Sequence, residues 1–158
     1  SMDPQQRLVL EYGYTALHAS GAYLRSHMRS ATGVFVAVYA SDFSHVLKAL
    51  PVGTCVYTAT GSAHSIASGR LSYVLGLQGP CVSYDTACSA ALVACHAGLR
   101  ALQLAECSSS LVLGVNLFMT PGVGIGFAVA GMTSPHGRCH TFDARADGYS
   151  RGDGCCAL

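Results

Sequence analysis

Cys88 is the residue with the clearest capacity for covalent chemistry in this 158-residue sequence. It stands in Gly79-Pro80-Cys81-Val82-Ser83-Tyr84-Asp85-Thr86-Ala87-Cys88-Ser89-Ala90-Ala91-Leu92, where a short apolar strand runs straight into an alanine-rich helix. A helix N-terminus offers unpaired backbone N–H groups and the positive end of the macrodipole. A thiol placed there loses its proton more readily and becomes a better nucleophile. Cys88 therefore reads as an acyl-accepting thiolate. Alone the signal is weak, because a cysteine in an alanine-rich helix is most often a small buried hydrophobe.

Other groups point to less. His136, Cys139 and His140 are zinc-ligand types, yet their spacing fits no standard zinc pattern and a fourth ligand is not evident, so no metal site is assigned and the segment is read as a loop. Gly122, Gly124 and Gly126 suggest a dinucleotide fingerprint, but the last spacing is wrong and no acidic residue follows at the needed distance. Close backbone packing is the expectation for them. Arg151-Gly152-Asp153 reads as a charged turn leading into a final strand. Arg70 and Tyr73 precede the nucleophile strand, where they could orient it, pack in the core or form a buried ion pair.

Several elements must hold Cys88 in place. Asp3 fits an N-cap, Pro4 the first helical position and Gln6 the third residue of a capping box. Leu8, Tyr12, Ala16 and Ala19 then step along a helix to Gly21. Val34 to Ala40 reads as a buried strand, and Ser41-Asp42 caps a short helix through Leu50, stopped by Pro51. Ser62 caps the next helix, with Ile66, Arg70, Tyr73 and Val74 along it before Gly76 and Gly79. Cys81 to Asp85 is a strand, Cys88 to Ala105 the strongest helix, and Ser110 to Val115 another strand. Phe127 to Ala130 is a short helix at best. A long turn-rich stretch runs from Thr133 to Gly148, and Gly154 to Leu158 resembles a core strand as it begins. Alternating buried strands and helices indicate an α/β domain with a largely parallel sheet.

Composition sets further bounds. Hydrophobic residues make up 51% and charged residues 11%, which implies much buried surface and a large interface or a covering remainder. A net charge of +1 without a Lys/Arg cluster argues against nucleic acid or acidic membranes as partners. The eight cysteines lack regular spacing and fall in apolar runs, so reduced, buried thiols are expected. No apolar stretch is long enough to span a bilayer, and an intracellular, cytoplasmic chain is the expectation.

Asp85-Thr86-Ala87-Cys88-Ser89 resembles the active-site signature of β-ketoacyl synthases, the condensing domains of polyketide and fatty-acid synthases. Four further segments resemble the same family in the same order. They are Met2-Asp3-Pro4-Gln5-Gln6-Arg7, the run Ala67 to Pro80, Gly114-Val115-Asn116-Leu117, and the run from Ser134-Pro135-His136-Gly137-Arg138-Cys139 through Thr141-Phe142-Asp143 and Asp147-Gly148-Tyr149 to Arg151-Gly152-Asp153-Gly154. The style is closer to the modular polyketide type than to the free-standing fatty-acid type. Two departures stand out: Ala90-Ala91 replace further serines, which better helix propensity makes tolerable, and His136 and His140 flank Gly137-Arg138-Cys139 where an acid and a lysine-type base are commoner.

The resemblance implies a thiolase-like fold, two similar α/β halves in five α-β-α-β-α layers. Residues 1–158 form a partial domain, the N-terminal half without its opening strand and without the C-terminal half. It implies an acyltransferase in which Cys88 takes an acyl group from the phosphopantetheine arm of an acyl carrier protein. A malonyl-type extender then loses CO₂ and its carbanion attacks the cysteine-bound thioester. No cofactor is bound directly. Phe127 and Met132 are expected in the substrate pocket, and a homodimer is expected through the strand Cys81 to Asp85. The two histidines that assist decarboxylation belong to the absent half, so none of His18, His27, His45, His64, His96, His136 or His140 inherits their role. By itself the piece is expected to acylate at best. The alternatives are a non-condensing structural or partner subunit and, more distantly, a thiolase-type enzyme.

Overall fold

A computed structural model describes residues 2–21, 30–39, 42–49 and 55–158 of the chain. In chain order its elements are α1 (Pro4–Ala19), β1 (Thr32–Val38), α2 (Phe43–Ala49), α3 (Thr58–Ser62), α4 (His64–Leu75), β2 (Cys81–Tyr84), a 3₁₀ turn (Ala87–Ser89), α5 (Ala90–Gln103), β3 (Ser109–Asn116), α6 (Pro121–Val129) and β4 (Gly154–Ala157). The strand order is β2-β1-β3-β4. β1 runs parallel to both β2 and β3, and β4 pairs antiparallel on β3. The sheet is mixed and mostly parallel.

β1 is buried along its whole length, as expected for a β-branched strand covered on both faces. Its side chains alternate. Val34, Val36 and Val38, with Leu111, Leu113 and Val115 of β3, join Val9 and Leu17 of α1 and Leu71 and Leu75 of α4 in one core cluster. Phe35 and Ala37 join Ala90, Ala94 and Ala101 of α5 in a second. Helices thus cover both faces of the sheet. α5 approaches closely because its inward row is Ala90, Ala94, Gly98 and Ala101; a Cβ at Gly98 would strike Ser110 Oγ and Val112.

The face that α1 buries differs from expectation. Val9, Gly13 and Leu17 point inward, Leu8 and Ala16 of the expected row pack only partly buried against the core, and Tyr12 and Ala19 are exposed. Gly13 decides this: a Cβ there would lie 2.7 Å from Leu71 Cδ2, so its absence admits the Leu71 side chain. Asp3 does cap α1, accepting from Gln5 N at 2.8 Å. Gln6 does not complete a capping box, since the Asp3 N–H donates to Gly61 O. Gln6 Nε2 instead donates to the Thr60 and Ala63 carbonyls at 3.1 and 3.2 Å, and Gln5 Oε1 accepts from Leu117 N at 3.2 Å. The two buried glutamines fasten α1 to the rest of the chain.

Other boundaries shift for local reasons. Ser62 belongs to α3, where its Oγ donates to Thr58 O; α4 starts after Ala63, which lacks a side-chain cap. Gly76 ends α4 with a left-handed φ of 65°. Tyr73 and Val74 face outward, and the buried row is Ala67, Ser68, Leu71 and Leu75. Arg70 makes no ion pair among the described residues; its Nη2 donates to Thr60 O at 3.4 Å. Of the helix expected from Ser41 to Leu50, α2 is the described part, and Ser41, Leu50, Pro51 and the strand residue Ala40 lie outside the described residues. The three glycines after Pro121 lie inside α6, and a Cβ at Gly124 or Gly126 would meet nothing within 4 Å. Close packing at those positions is corrected accordingly.

The cysteines are all free, but only Cys107 is buried. Cys81 and Cys156 sit on the edge strands β2 and β4, and Cys55, Cys88 and Cys139 in turns and loops, where no layer among the described residues covers them. No helix among the described residues is long and apolar enough to cross a membrane.

Gly79 marks the tightest backbone approach between β1 and the entry to β2. Its N–H donates to Thr32 O at 3.0 Å, and an added Cβ would sit 2.5 Å from Gly33 N and the Thr32 carbonyl carbon. Gly79→Ala is expected to cost about 1–3 kcal/mol by overpacking. Urea unfolding checks this, and an unchanged midpoint contradicts the assigned register.

Candidate active site around Cys88

The residues Asp85 to Ser89 form a self-bonded turn. Asp85 Oδ1 accepts from Ala87 N at 3.2 Å. Thr86 Oγ1 and Ser89 Oγ lie 2.8 Å apart, and the Ser89 hydroxyl and N–H both reach Thr86 O, at 2.8 and 3.3 Å. At the centre Ala87 has φ 52°, a left-handed conformation that costs an L-residue roughly 1–2 kcal/mol. A residue in that conformation cannot begin an α-helix. The strand therefore bends sharply, one 3₁₀ turn follows, and α5 begins at Ala90 rather than at Cys88. The bend leaves Cys88 exposed just ahead of the α5 N-terminus. The hydrogen bonds within the turn offset its strain, as at other tight strand-to-helix nucleophile turns.

Cys88 faces a cavity of about 790 Å³. Parallel strands end at one edge of a sheet, and ligands settle outside those carboxyl ends. Here the wall is built from Ala37, Val38 and Tyr39 at the end of β1, Ala87 and Cys88 after β2, and Val115, Asn116 and Phe118 at the end of β3. Phe127 of α6 and Met132 beyond it line the same cavity. The structure thus brings Cys88, Phe127 and Met132 together. Among the described residues no histidine lines this cavity. His136 lies in the outer loop, with Nε2 3.9 Å from Asp147 Oδ2, and Cys139 Sγ accepts from Ser150 N at 3.1 Å.

A family model for the N-terminal domain of β-ketoacyl synthase matches residues 1–158. The chain belongs to the β-ketoacyl synthase family. It is 44% identical over 154 residues to a phenolphthiocerol/phthiocerol polyketide synthase polypeptide of Mycobacterium tuberculosis, covering 98% of this chain and 10% of that protein. A highly reducing polyketide synthase of Aspergillus ruber is 42% identical over 157 residues, 99% of this chain and 6% of its own length. Among solved structures, the ketosynthase from module 6 of the bacillaene synthase of Bacillus subtilis 168 superposes with a TM-score of 0.89 at 36% identity, covering 99% of this chain and 26% of that one. An oxazolomycin ketosynthase domain of Streptomyces albus gives 0.83 at 28% identity, covering 99% and 27%. The chain spans about a tenth of these curated relatives or less, and about a quarter of the solved ketosynthase chains. Its fold is the thiolase-like one of ketosynthases, and it presents the N-terminal half of that fold as one mixed sheet between helices.

The ketosynthase cavity contains groups that sequence reasoning missed. The Arg151 guanidinium carbon lies 3.7 Å from the Phe118 ring centroid and 4.5 Å from that of Phe127; each such contact is worth about 0.5–2 kcal/mol depending on desolvation. Asp153 Oδ1 accepts from Phe118 N at 2.9 Å, so the Arg151-Gly152-Asp153 turn grips the exit of β3. The reading of Arg151-Gly152-Asp153 as a charged turn gave no sign of this, because its partners lie far away along the chain. A second thiol of the wall, Cys155, behaves unlike an exposed cysteine. Burial first, and the neighbouring Cys156 second, push it up from 9.0 to about 11. A raised thiol stays protonated until the pH passes that value, so Cys155 is a poor nucleophile near neutrality. The rate of its alkylation by iodoacetamide, followed by peptide mass spectrometry on the folded protein, is expected to become half-maximal near pH 11. Alkylation at pH 8 as fast as that of an exposed cysteine contradicts its placement in the sheet.

Proposed function

We propose that this chain carries the acyl-accepting nucleophile of a ketosynthase acting in polyketide biosynthesis. The observation that supports it is the exposed Cys88 on a strained, self-bonded turn at the mouth of an apolar cavity. In the acylation step, the Cys88 sulfur attacks the thioester carbonyl presented on the phosphopantetheine arm of an acyl carrier protein. The Cys88 proton passes to the departing pantetheine thiol, and the acyl–sulfur bond is exchanged for another. The Cys88 backbone N–H is our candidate for one oxyanion donor. Phe127 and Met132 line the channel for the acyl chain.

Condensation needs more than this cavity holds. A malonyl-type extender releases CO₂, the electron pair of the broken bond attacks the Cys88 thioester, and the cysteine sulfur leaves. Stabilising the enolate that forms requires donors, and the absence of a histidine from the cavity wall among the described residues supports assigning them to the C-terminal half of the domain. Residues 1–158 are thus the N-terminal part of one domain, the acyl-accepting part of an enzyme whose condensation needs its second half.

A homodimer through β2 is part of the same proposal. β2 is an edge strand. Val34 N donates to Pro80 O at 2.7 Å, and the period-two parallel ladder then turns the main-chain groups of Val82 and Tyr84 toward β1 and those of Cys81 and Ser83 outward. Outward N–H and C=O groups invite a second copy of the strand.

Two experiments test these claims. Incubation with a short acyl-pantetheine thioester should give one acyl adduct by intact-mass spectrometry, absent in Cys88→Ser; a folded wild type without adduct refutes the assignment. Ser83→Pro, which removes an outward N–H, should dissociate the dimer in analytical ultracentrifugation. Ser83→Ala, which removes only the hydroxyl that bonds His64 O and Ser68 Oγ, should leave it intact. A dimer that survives the proline excludes this strand as the interface.

A further inference from the structure

The floor of the Cys88 cavity has a gap of defined shape. Ala91 on the first turn of α5, Gly114 on β3 and Cys156 on β4 all line the cavity. Gly114 and Cys156 face each other across the two strands. A Cβ built on Gly114 would lie 3.5 Å from Ala91 Cβ and 3.6 Å from Cys156 Sγ, which is ordinary van der Waals contact. Apart from its chain neighbours, no other atom of the described residues would come within 4 Å of it. The missing Cβ therefore leaves a notch, floored by Gly114 and flanked by a methyl group and a thiol. The notch is open to the cavity, since Ala91 and Cys156 are exposed and Gly114 is half-buried. Its flanks are carbon and sulfur, so its complement is an apolar group the size of a methyl. Gly114 belongs to a segment shared with the family, but Ala91 stands in place of a serine, whose hydroxyl would make one flank polar.

The notch is within reach of a chain held on Cys88, so this inference rests on the function proposed above. Ala91 follows Cys88 by three residues, a spacing that sets Cβ atoms about 5–6 Å apart on one side of a helix. Carbon 4 of an acyl group is four bonds from the sulfur and a substituent on it is five, which covers that separation. In a decarboxylative condensation the attacking carbon of the extender becomes carbon 2 of the product. A methyl on the extender therefore stands on carbon 2, and on carbon 4 one round later. We propose that Ala91, Gly114 and Cys156 form a methyl-branch subsite, which makes this site select acyl chains carrying a methyl on carbon 4 over unbranched chains. Because the notch lies on one side of the chain only, it takes the branch of one configuration.

The test is Cys88 acylation in the full-length chain, with heptanoyl-pantetheine and both configurations of 4-methylhexanoyl-pantetheine compared at equal concentration by time-resolved mass spectrometry. The three acyl groups are isomers, so a difference in rate reports shape and not apolar area. Wild type is expected to acylate with one branched configuration ~4-fold faster than with the other or with heptanoyl, the equivalent of one buried methyl. Ala91→Leu, which fills the notch, should remove that preference, and Ala91→Ser should weaken it. Equal rates with all three in the wild type overturn the proposal without recourse to any variant that fails to fold. A preference that survives Ala91→Leu overturns it too, and leaves the acyl-acceptor role of Cys88 standing. No adduct from any of the three on folded wild type overturns both.

Discussion

The parallel pairing of β1 on both of its sides is the constraint from which the rest of the structure follows. Because β2 and β3 run in the same direction as β1, the chain leaves all three strands at one edge of the sheet. The Cys88 turn, the β3 exit at Phe118 and the end of β1 at Tyr39 are therefore neighbours despite their distance in sequence. β4 runs the other way, so it enters the sheet at the edge where the other strands leave it. That reversal delivers Arg151 and Asp153 to the same cavity. Complete burial of β1 between α1 and α4 on one face and α5 on the other gives the register its stability, since a one-residue slip would exchange the two faces.

The signature around Cys88 is conformational as much as chemical. Asp85, Thr86 and Ser89 spend their polar groups on each other and on the backbone of the turn. What they maintain is the positive φ at Ala87, and through it the projection of Cys88 out of the sheet. Alanine suits the position because its small side chain limits the strain. The following Ala90 and Ala91 have a similar logic: Ala90 packs in the core, while Ala91 leaves room at the cavity floor, where a Cβ on Gly114 would already be 3.5 Å away.

The outward faces have a different composition. α5 turns Leu92, Leu99 and Leu102 to solvent, 75%, 53% and 42% exposed, on the side opposite its alanine row. α6 exposes Ile125 and Val129. Exposed apolar side chains of this kind go with the low charge content of the chain. The same exposure explains why cysteines in apolar runs lie open here: apolar neighbours in sequence do not cover a thiol unless a further layer does.

The sequence by itself determined part of the local structure and singled out Cys88 as the candidate nucleophile. The Asp3 cap and the Gly76 stop rest on interactions between residues within a few positions of one another, and such interactions are written in residue order. The motifs also sufficed for the family, because five short segments in fixed order are a stronger signal than any periodicity. Only the tertiary structure decided which helix faces are buried. Val9, Gly13 and Leu17 form the buried row, with Leu8 and Ala16 only partly buried beside it and Tyr12 and Ala19 exposed, because Gly13 admits Leu71, a contact between residues far apart in the chain. It likewise decided that Arg151 stacks on Phe118 and Phe127, and that Gln6 bonds the Thr60 and Ala63 carbonyls instead of completing a capping box. These outcomes depend on shape complementarity across the parallel sheet, which exists only once the strands have paired.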